Sequence, residues 1–466
     1  MLGHVLMRQR LNEQTAGVAD TSAHEKCLLE KQQTVRWAPQ ILLNYEQFGW
    51  HGGCELISMN GLHMFASGAI APEPGELLRA QSLRQVTVVV DQLIARLAVN
   101  AAERDQLGGT PKAQRDDIRR SGLLSLSIPV ELGGLGGSWQ DVLLAVRQLS
   151  RVDSSIGHVF AFHHLMLATV RLFGHPSQWE PWLRCTARQD WFWGNALNPL
   201  DKRAQLSKED GCWSLSGSKS FCSGALDSEM LIVSGYLEDQ LRVAAIPSNR
   251  SGIDIIQDWD NMGQRQTDSG SIHFERVRIE DAEMLTNPGP LSTPSSSLRP
   301  LIAQLILVNI YIGISEGAFE QARQYTLREA RPWHASGVER VADDPYVLQH
   351  FGEFHVALDG LQLLGDRAGS MLDAALAQGD SLSWDDRGRL AMAIASAKVA
   401  ATKSGLDLCN RIFDVTGARS THAEVGLDRH WRNLRTHTLH DPVQYKVKDI
   451  GAWVLKGELP APSFYA

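Results

Sequence analysis

The chain has 466 residues, 43% of them hydrophobic and 21% charged, so it can bury a large core in two or three structural units. Its net charge of -8 argues against a nucleic-acid partner, because such proteins concentrate positive charge. The six cysteines form no CxxC pair, and no unbroken apolar run reaches the roughly 18 residues of a membrane span. We therefore expect a cytoplasmic protein with no disulfide framework, no membrane segment and no targeting signal.

The N-terminal part of the chain lacks a sustained helical or strand period and ends in the breaker-rich residues 71–75. We predict a poorly ordered extension over residues 1–84 and assign no chemistry to it. A disordered segment, an upstream translation start and a functional extension all remain open for it.

The next segments follow a helical, β, helical order. Apolar residues at three-and-four spacing over residues 88–105 and 141–152 predict a helical domain at residues 85–190. The short segments CWSLSGSKSF, MLIVSGY, LRVAAIP and GSIHFERVRI alternate and predict a β domain at residues 191–297. A Pro/Ser-rich linker, residues 287–300, leads into long helices that predict a bundle at residues 298–466. The fold class is therefore α+β.

Two groups of histidines could carry acid/base chemistry near neutral pH. His158, His163 and His164 lie in an otherwise apolar segment, where a hydrogen-bonded core histidine is as good an interpretation as a catalytic one. His437 and His440 are spaced i, i+3 and would share a face of a helix. A metal site is disfavoured, because neither paired Glu-x-x-His motifs nor HExxH occurs.

Polar residues cluster in two segments of the β domain, residues 194–199 and 217–224. Gly and Ser there also suit hairpin turns, so Asn195 and Ser223 matter only if they face a ligand. Arg331 and Arg419 could each bind a phosphate with two hydrogen bonds, although a lone arginine more often forms a surface ion pair.

Nucleotide-binding and hydrolase motifs offer no alternative. The sequence has no GxGxxG between a strand and a helix and no P-loop. One GxSxG string, residues 313–317, falls inside a predicted long helix and not at a strand-to-helix turn. We interpret it as small residues on a helix-packing face.

Longer motifs carry a resemblance that extends from about Val88 to the C-terminus. The segments DGCWSLSGSKSFCSGA, NMGQRQTDSGSIHFERVRI and LRPLIAQLILVNIYIGISEGAFEQAR resemble the acyl-CoA dehydrogenase superfamily. Within it, SGLLSLSIP, DSSIGHVF, GNALNP, FCSGA, RQTDSGS, ARPW, DPYVLQHFGEF and WRNLRTHTLHDPVQYK are similar to the dibenzothiophene monooxygenase group of flavin enzymes. The resemblance implies a helical domain, a central β-barrel, a C-terminal four-helix bundle and a homotetramer.

The chain departs from true dehydrogenases at three places. They carry a glutamate base in a C-terminal Tyr-Glu-Gly-Thr motif or on the first bundle helix, where this chain has Leu439-His440-Asp441-Pro442 and Ser297-Leu298-Arg299-Pro300. In place of their Gly-Gly-rich turn for FAD it has Thr416-Gly417-Ala418-Arg419-Ser420, whose arginine suits the phosphate of FMN. A dehydrogenase using FAD, with Asp441 as an unusual base, is the alternative enzyme, and a helical scaffold without cofactor is the non-enzymatic one.

The resemblance also implies a chemistry. A separate NAD(P)H:FMN reductase would supply reduced FMN, and O2 would add to it to form a C4a-hydroperoxide. Its distal oxygen would pass to the sulfur of a small apolar compound such as dibenzothiophene, giving a sulfoxide or sulfone. His158, Ser223 and His440 would bind and protonate the peroxide, with His437 orienting the site. Phe162 stands where that group has tyrosine, so thioethers, sulfones, thiophenes and amines all remain possible substrates.

By the same resemblance, FMN would lie between the β domain and the bundle. The implied flavin contacts are Phe162, Asn195, Ala196, Leu197, Asn198, Pro199, Leu200, Lys219, Ser220, Phe221, Cys222, Ser223, Trp259, Arg331, Ala418, Arg419 and His440.

Overall fold

A computed structural model gives the fold and describes residues 77–209 and 212–465. Almost all of the predicted N-terminal extension therefore lies outside the described residues. The described chain begins with six helices: α1 (Leu83–Ala98), α2 (Ala101–Leu107), α3 (Lys112–Ser121), α4 (Trp139–Val152), α5 (Ser154–Phe173) and α6 (Pro176–Gln189). The apolar pattern over residues 88–105 covers two helices, because Asn100 leaves the helical conformation and separates α1 from α2.

The central domain is one seven-stranded sheet in the order β1-β4-β2-β3-β7-β6, with β5 on β4. Its strands are β1 (Trp193–Ala196), β2 (Gln205–Glu209), β3 (Cys212–Lys219), β4 (Met230–Leu237), β5 (Gln240–Pro247), β6 (Ile253–Ile256) and β7 (Ser271–Ile279). β1 runs parallel to β4, whereas β3 pairs antiparallel with both β2 and β7. The four predicted segments became β3, β4, β5 and β7, and the sequence missed β1, β2 and β6.

The C-terminal part is helical. Its helices are α7 (Leu298–Arg328), α8 (Pro345–Gln378), α9 (Trp384–Thr416), α10 (Asp428–Thr438) and α11 (Val443–Lys456). The predicted linker ends earlier than expected, because α7 already begins at Leu298. The α+β class and the helical, β, helical order predicted from the sequence are confirmed.

Helices α5 and α7 belong to the hydrophobic core of the described residues. Both are long and apolar enough to cross a membrane by length and composition alone, but 89% of the apolar window of each is buried inside the protein. Histidines, amides and hydroxyls interrupt them, which is why the sequence shows no unbroken apolar run of that length. Their burial identifies them as core helices.

Helix α7 packs closely on α4 through the GxSxG string. A Cβ added at Gly313 would lie 2.3 Å from the carbonyl oxygen of Arg147, and one at Gly317 would lie 2.0 Å from that of Arg151. The Ser315 hydroxyl donates to the carbonyl of Tyr311 at 2.8 Å, within its own helix. The interpretation of this string as a packing face is therefore confirmed.

Candidate active site

Histidines from two distant parts of the chain meet between α5, α7 and α10. His158 on α5 stacks on Phe162 with ring centroids 4.0 Å apart, and its ring lies 4.8 Å from that of His437 at the end of α10. The hydroxyl of Tyr311 on α7 donates to the His437 carbonyl at 2.8 Å. The structure therefore brings together three predicted site residues and adds Tyr311, which the sequence analysis did not single out.

The two imidazoles are buried and incompletely hydrogen-bonded. Within the described residues, neither ring nitrogen of His158 has a hydrogen-bond partner. The Nδ1 of His437 has none from these residues either. Burial lowers the pKa of His158 to about 3, with His440 a smaller cause, and lowers that of His437 well below its ordinary value. Both rings are therefore neutral at pH 7. A buried unsatisfied polar group costs roughly 1–3 kcal/mol, so these free nitrogens indicate a site for a ligand.

His440 has a carboxylate behind it. Its Nδ1 lies 2.9 Å from Oδ1 of Asp441, which also accepts hydrogen bonds from Lys398 and, at 3.3 Å, from Nε2 of Gln304. Helix α10 ends at Thr438, so the prediction that His437 and His440 share a helix face is wrong. His440 instead belongs to the turn before α11, and no described residue forms a hydrogen bond with its Nε2.

The surroundings of Asp441 and Lys398 shift the pKa values of both groups strongly. Burial alone would raise the pKa of Asp441, but the hydrogen bond from His440 and the charge of Lys398 outweigh it and hold that pKa well below its ordinary value. Burial lowers the pKa of Lys398 to about 8, although Asp441 opposes the shift. Asp441 is therefore ionised, and Lys398 can lose its proton just above neutral pH.

Ser223 ends a chain of hydroxyl groups. Its Oγ lies 2.8 Å from that of Ser269, which lies 2.7 Å from Oγ1 of Thr267. Its carbonyl accepts a hydrogen bond from the Asn195 backbone at 3.0 Å. Across the described part of the chain, no hydrogen bond or ring contact joins Ser223 to His158, His437 or His440.

The two polar segments of the β domain bind one another. The ammonium of Lys219 donates to the carbonyls of Asn198 at 3.0 Å and Asp201 at 2.5 Å, and the Asn198 amide donates to the Ser220 carbonyl at 3.1 Å. Burial lowers the pKa of Lys219 to about 8. Lys219 therefore holds the turn at residues 198–201, and its ammonium is committed to backbone carbonyls.

The other predicted flavin contacts of these segments differ in exposure. Ala196, Leu197 and Cys222 have buried side chains, and burial raises the pKa of the Cys222 thiol to about 12. The Pro199 carbonyl accepts a hydrogen bond from the Tyr236 hydroxyl at 2.7 Å, and Leu200 is exposed. For the buried residues Ala196, Leu197 and Cys222, we expect a ligand to contact the backbone and not the side chain.

Phe221, in the second polar segment, forms an aromatic pair with the half-buried Trp259. Phe221 has a φ of 61° and a 60% exposed side chain, and its ring lies 5.9 Å from that of Trp259. The Trp259 indole is fixed by a 2.7 Å hydrogen bond to the Gln264 carbonyl. A positive φ is uncommon for a non-glycine residue and costs about 1–3 kcal/mol, and such strain clusters at functional sites.

Arg331, Ala418 and Arg419 are exposed and lie outside the histidine cluster. Neither guanidinium has a hydrogen bond or an ion pair with any residue that the structure describes. The structure therefore does not bring these three residues to the histidines within one chain.

His163 and His164 are core residues. Nε2 of His163 lies 2.8 Å from the Leu124 carbonyl, its Nδ1 accepts from the Trp193 amide at 3.2 Å, and Nδ1 of His164 lies 2.8 Å from the Ser127 hydroxyl. Of the three α5 histidines, only His158 has both ring nitrogens free. No group of three or more His, Cys, Asp or Glu side chains able to hold a metal occurs in the described ranges.

Sequence reasoning missed Lys398, Gln304 and Tyr311. Lys398 is a lone charge in the small-residue stretch AMAIASAKVAA of α9, and Gln304 and Tyr311 are polar groups in apolar α7. A polar group inside an apolar helix was the available signal, since buried charges need partners.

Three family profiles and several known proteins match the chain. The acyl-CoA dehydrogenase N-terminal, middle and C-terminal domains match residues 82–190, 194–277 and 305–445. The probable FMNH2-dependent monooxygenase SfnC of Pseudomonas putida is 59% identical over 386 residues, covering 82% of this chain and 98% of that protein.

Two solved structures are also similar. The methanesulfinate monooxygenase MsuC from Pseudomonas fluorescens is 60% identical with a TM-score of 0.80, covering 81% of this chain and 98% of that one. The FMN-bound dibenzothiophene monooxygenase TdsC from Paenibacillus sp. A11-2 is 38% identical with a TM-score of 0.78, covering 82% of this chain and 100% of that one.

Proposed function

This chain belongs to the acyl-CoA dehydrogenase family, and we propose that within it the protein oxygenates a small organosulfur compound with reduced FMN and dioxygen. The predictions of this fold, of FMN as cofactor and of flavin-dependent monooxygenase chemistry on organosulfur compounds are confirmed by its relatives. The methanesulfinate relative extends the candidate substrates from apolar thiophenes to small sulfur acids.

The observation that carries the proposal is the set of three imidazoles. His158 and His437 present free, neutral ring nitrogens in a buried wall, and His440 adds an imidazole supported by Asp441. His158 and His437 fit a flavin and its oxygen chemistry, because they offer hydrogen bonds from neutral rings. Reduced FMN, when bound, would activate dioxygen, from which one oxygen atom would be transferred to sulfur while the other leaves as water.

We assign distinct tasks to the chain's own residues. His440 exchanges a proton at Nε2, because its Nδ1 is bonded to Asp441. His158 and His437 orient the reacting oxygen through neutral nitrogens, while Phe162 excludes water from the buried wall. Ser223 is proposed as a further hydrogen-bond donor, fixed by Ser269.

We propose the FMN contacts outside this wall from the charge and the exposure of the residues concerned. The FMN phosphate is a dianion that needs cationic donors. Arg331 and Arg419 are exposed cations, and neither would have to give up an ion pair with a described residue in order to bind it. Phe221 and Trp259 offer an aromatic surface beside the flavin-facing segments. The backbones of the polar segments and of Ala418 would complete the site.

The protein is proposed to be a homotetramer. Apolar side chains on α8 and α11 are exposed in the single chain, among them Leu348, Val356, Leu363, Val454 and Leu455. Exposed apolar surface of this kind is typical of subunit interfaces. Light scattering should give four times the 51.5 kDa chain mass, and a monomer would contradict this assignment.

The reductant is proposed to come from a separate NAD(P)H:FMN reductase in the cytoplasm. The relative from Pseudomonas putida is named as FMNH2-dependent, and this sequence has no GxGxxG motif of a dinucleotide-binding domain. Both observations support a separate source of reduced FMN.

Asp441, the base considered for the dehydrogenase alternative, does not suit that role. Asp441 is the carboxylate beside His440, and its bonds to Lys398 and Gln304 stabilise the ionised form. Its pKa lies well below the ordinary value, so it is too weak a base to abstract a carbon-bound proton.

The experiment is the variant His440→Ala, assayed with a flavin reductase and with methanesulfinate or dibenzothiophene. We expect the variant to keep its fold, lose oxygenated product and release hydrogen peroxide, because it lacks the proton donor. His422→Ala, at an exposed histidine, is the matched control and should behave as wild type. Unchanged coupling of FMNH2 oxidation to product in His440→Ala would remove His440 from the mechanism.

A further inference from the structure

Gln264, in the loop between β6 and β7, holds a strained and buried position. Its φ is 56° and its side chain is only 1% exposed. Its Oε1 has no hydrogen-bond partner among the described residues. A positive φ is uncommon outside glycine, and a buried unpaired acceptor also costs free energy, so both features point to a task other than stability.

The side-chain amide of Gln264 joins the helices that carry His158 and His437. Its Nε2 donates to the Ser154 hydroxyl at 2.9 Å and to the Asn433 carbonyl at 3.4 Å. Ser154 lies about one helical turn before His158 on α5. Asn433 lies about one turn before His437 on α10. One amide group therefore links the two helices next to the facing imidazoles, whose ring centroids are 4.8 Å apart.

The backbone of Gln264 connects the same point to the β domain. Its N–H donates to Oδ1 of Asn433 at 2.6 Å, and its carbonyl accepts from Nε1 of Trp259 at 2.7 Å and from the Thr267 hydroxyl at 3.1 Å. Thr267 begins the chain of hydroxyl groups that ends at Ser223. Gln264 is thus where the hydroxyl chain of the β domain meets the two histidine-bearing helices.

The loop around Gln264 lies tightly against α10. A Cβ added at Gly263 would lie 2.3 Å from the Arg432 carbonyl, and the Arg432 guanidinium donates to the Met262 carbonyl at 2.8 Å. These contacts do not use the Gln264 side chain. A substitution at Gln264 therefore changes the link to α5 while the loop keeps these contacts with α10.

We propose that Gln264 is a positioning residue that sets the spacing of His158 and His437 and aligns them with the flavin-facing segments of the β domain. It acts through Ser154 and Asn433 and does not itself touch the reacting atoms. The inference rests on the proposed function. The correct spacing would direct oxygen to sulfur, whereas a loosened pair of imidazoles would let reduced dioxygen leave as hydrogen peroxide.

The test is Gln264→Leu, which removes the amide at similar volume. In a crystal structure of this variant without flavin, the rings of His158 and His437 should no longer keep their 4.8 Å separation. With a flavin reductase and methanesulfinate, the product formed per FMNH2 should fall roughly tenfold to hundredfold, and hydrogen peroxide should rise to match. The affinity for FMN should stay as in wild type, because the proposed flavin contacts are retained.

Two further variants separate positioning from a general loss of structure. Gln362→Leu is the matched control, because it removes a 2.8 Å amide hydrogen bond to Glu316 in the helical bundle and should leave both readouts unchanged. Ser154→Ala leaves the loop intact, so it tests the link even if Gln264→Leu does not fold. It should cause part of the uncoupling and should add nothing to Gln264→Leu in the double variant.

An unchanged ring separation or unchanged coupling in Gln264→Leu would overturn the proposal. Wild-type coupling in Ser154→Ala, or losses that simply add in the double variant, would overturn it as well. A changed ring separation, found while the wild-type protein oxygenates neither methanesulfinate nor dibenzothiophene, would support the positioning role and contradict the proposed function instead.

Discussion

At the scale of single residues, the site depends on imidazoles whose protonation is set by their surroundings. His158 and His437 are neutral because they are buried, whereas His440 shares Asp441 with Lys398. Lys398 is the titrating member of this network near neutral pH, since burial places its pKa at about 8. Its proton therefore controls how strongly Lys398 holds Oδ1 of Asp441, the same oxygen that contacts His440.

Lys398 should set the alkaline limit of activity. Below pH 8 its ammonium is charged and binds Asp441, and above pH 8 it becomes neutral and releases that carboxylate, so kcat should fall. Lys398→Met should have lower activity at every pH and lose the descending limb near pH 8. Lys403→Met, at an exposed lysine of α9, should keep the limb, and a limb that persists in Lys398→Met would assign it to another group.

The sequence predicted part of this site. His158, His437 and His440 were candidates from the pattern of histidines, and the resemblance added Phe162 and the roles of all four. Those roles remain predictions that activity measurements must test. The hydrogen bonds of Lys398 and Gln304 to Asp441 could not be predicted, because they join α9 and α7 to the turn before α11 across the fold.

At the scale of elements, the contact of α4 with α7 supports Tyr311 and the histidine wall. Gly313 and Gly317 let the α4 backbone approach α7 more closely than any side chain would allow. This packing requires that Gly313 and Gly317 have no Cβ atom, so even the small side chain of alanine should disturb it.

Gly317→Ala should therefore destabilise the protein. The added Cβ would lie 2.0 Å from the Arg151 carbonyl, and overpacking of this kind costs about 1–3 kcal/mol. Gly352→Ala in α8 is the matched control, because nothing lies within 4 Å of its Cβ and alanine favours a helix by about 0.5–1 kcal/mol. Urea denaturation compares the two, and a Gly317→Ala protein as stable as wild type would contradict the packing argument.

Elements with their own periodicity were predicted well, and elements made by tertiary pairing were not. Helices α5 and α7 follow from long apolar segments, whereas β1, Trp193–Ala196, contains Gly and Asn and does not alternate. It is a strand because β4 pairs with it in parallel, which no local pattern reveals.

At the scale of the whole molecule, buried neutral histidines make stability depend on pH. Burial lowers the pKa of five of them: His158, His163, His164, His430 and His437. The unfolded chain binds protons at these groups below pH ~6.5, but the folded chain does not until the pH falls near the lowered pKa. This contribution to stability is therefore fully present above about pH 6.5 and is lost progressively as the pH falls from there toward the lowered pKa.

The free energy of unfolding should drop between pH 7 and pH 5. A histidine whose pKa falls from about 6.5 to about 3 on folding contributes a loss of about 2 kcal/mol over that interval. His158→Phe should lessen the loss by about that amount, whereas His355→Gln, at an exposed histidine, should not change it. Equal stability of wild type at the two pH values would contradict the neutral-histidine account.

The most direct test of the central claim is a single turnover of the whole enzyme. The protein is mixed without oxygen with reduced FMN and either methanesulfinate or dibenzothiophene, oxygenated buffer is added, and oxygenated sulfur product and hydrogen peroxide are quantified. We predict close to one product molecule per reduced FMN for a suitable organosulfur substrate, with little peroxide. Stoichiometric hydrogen peroxide and no oxygenated product from either compound would contradict the account.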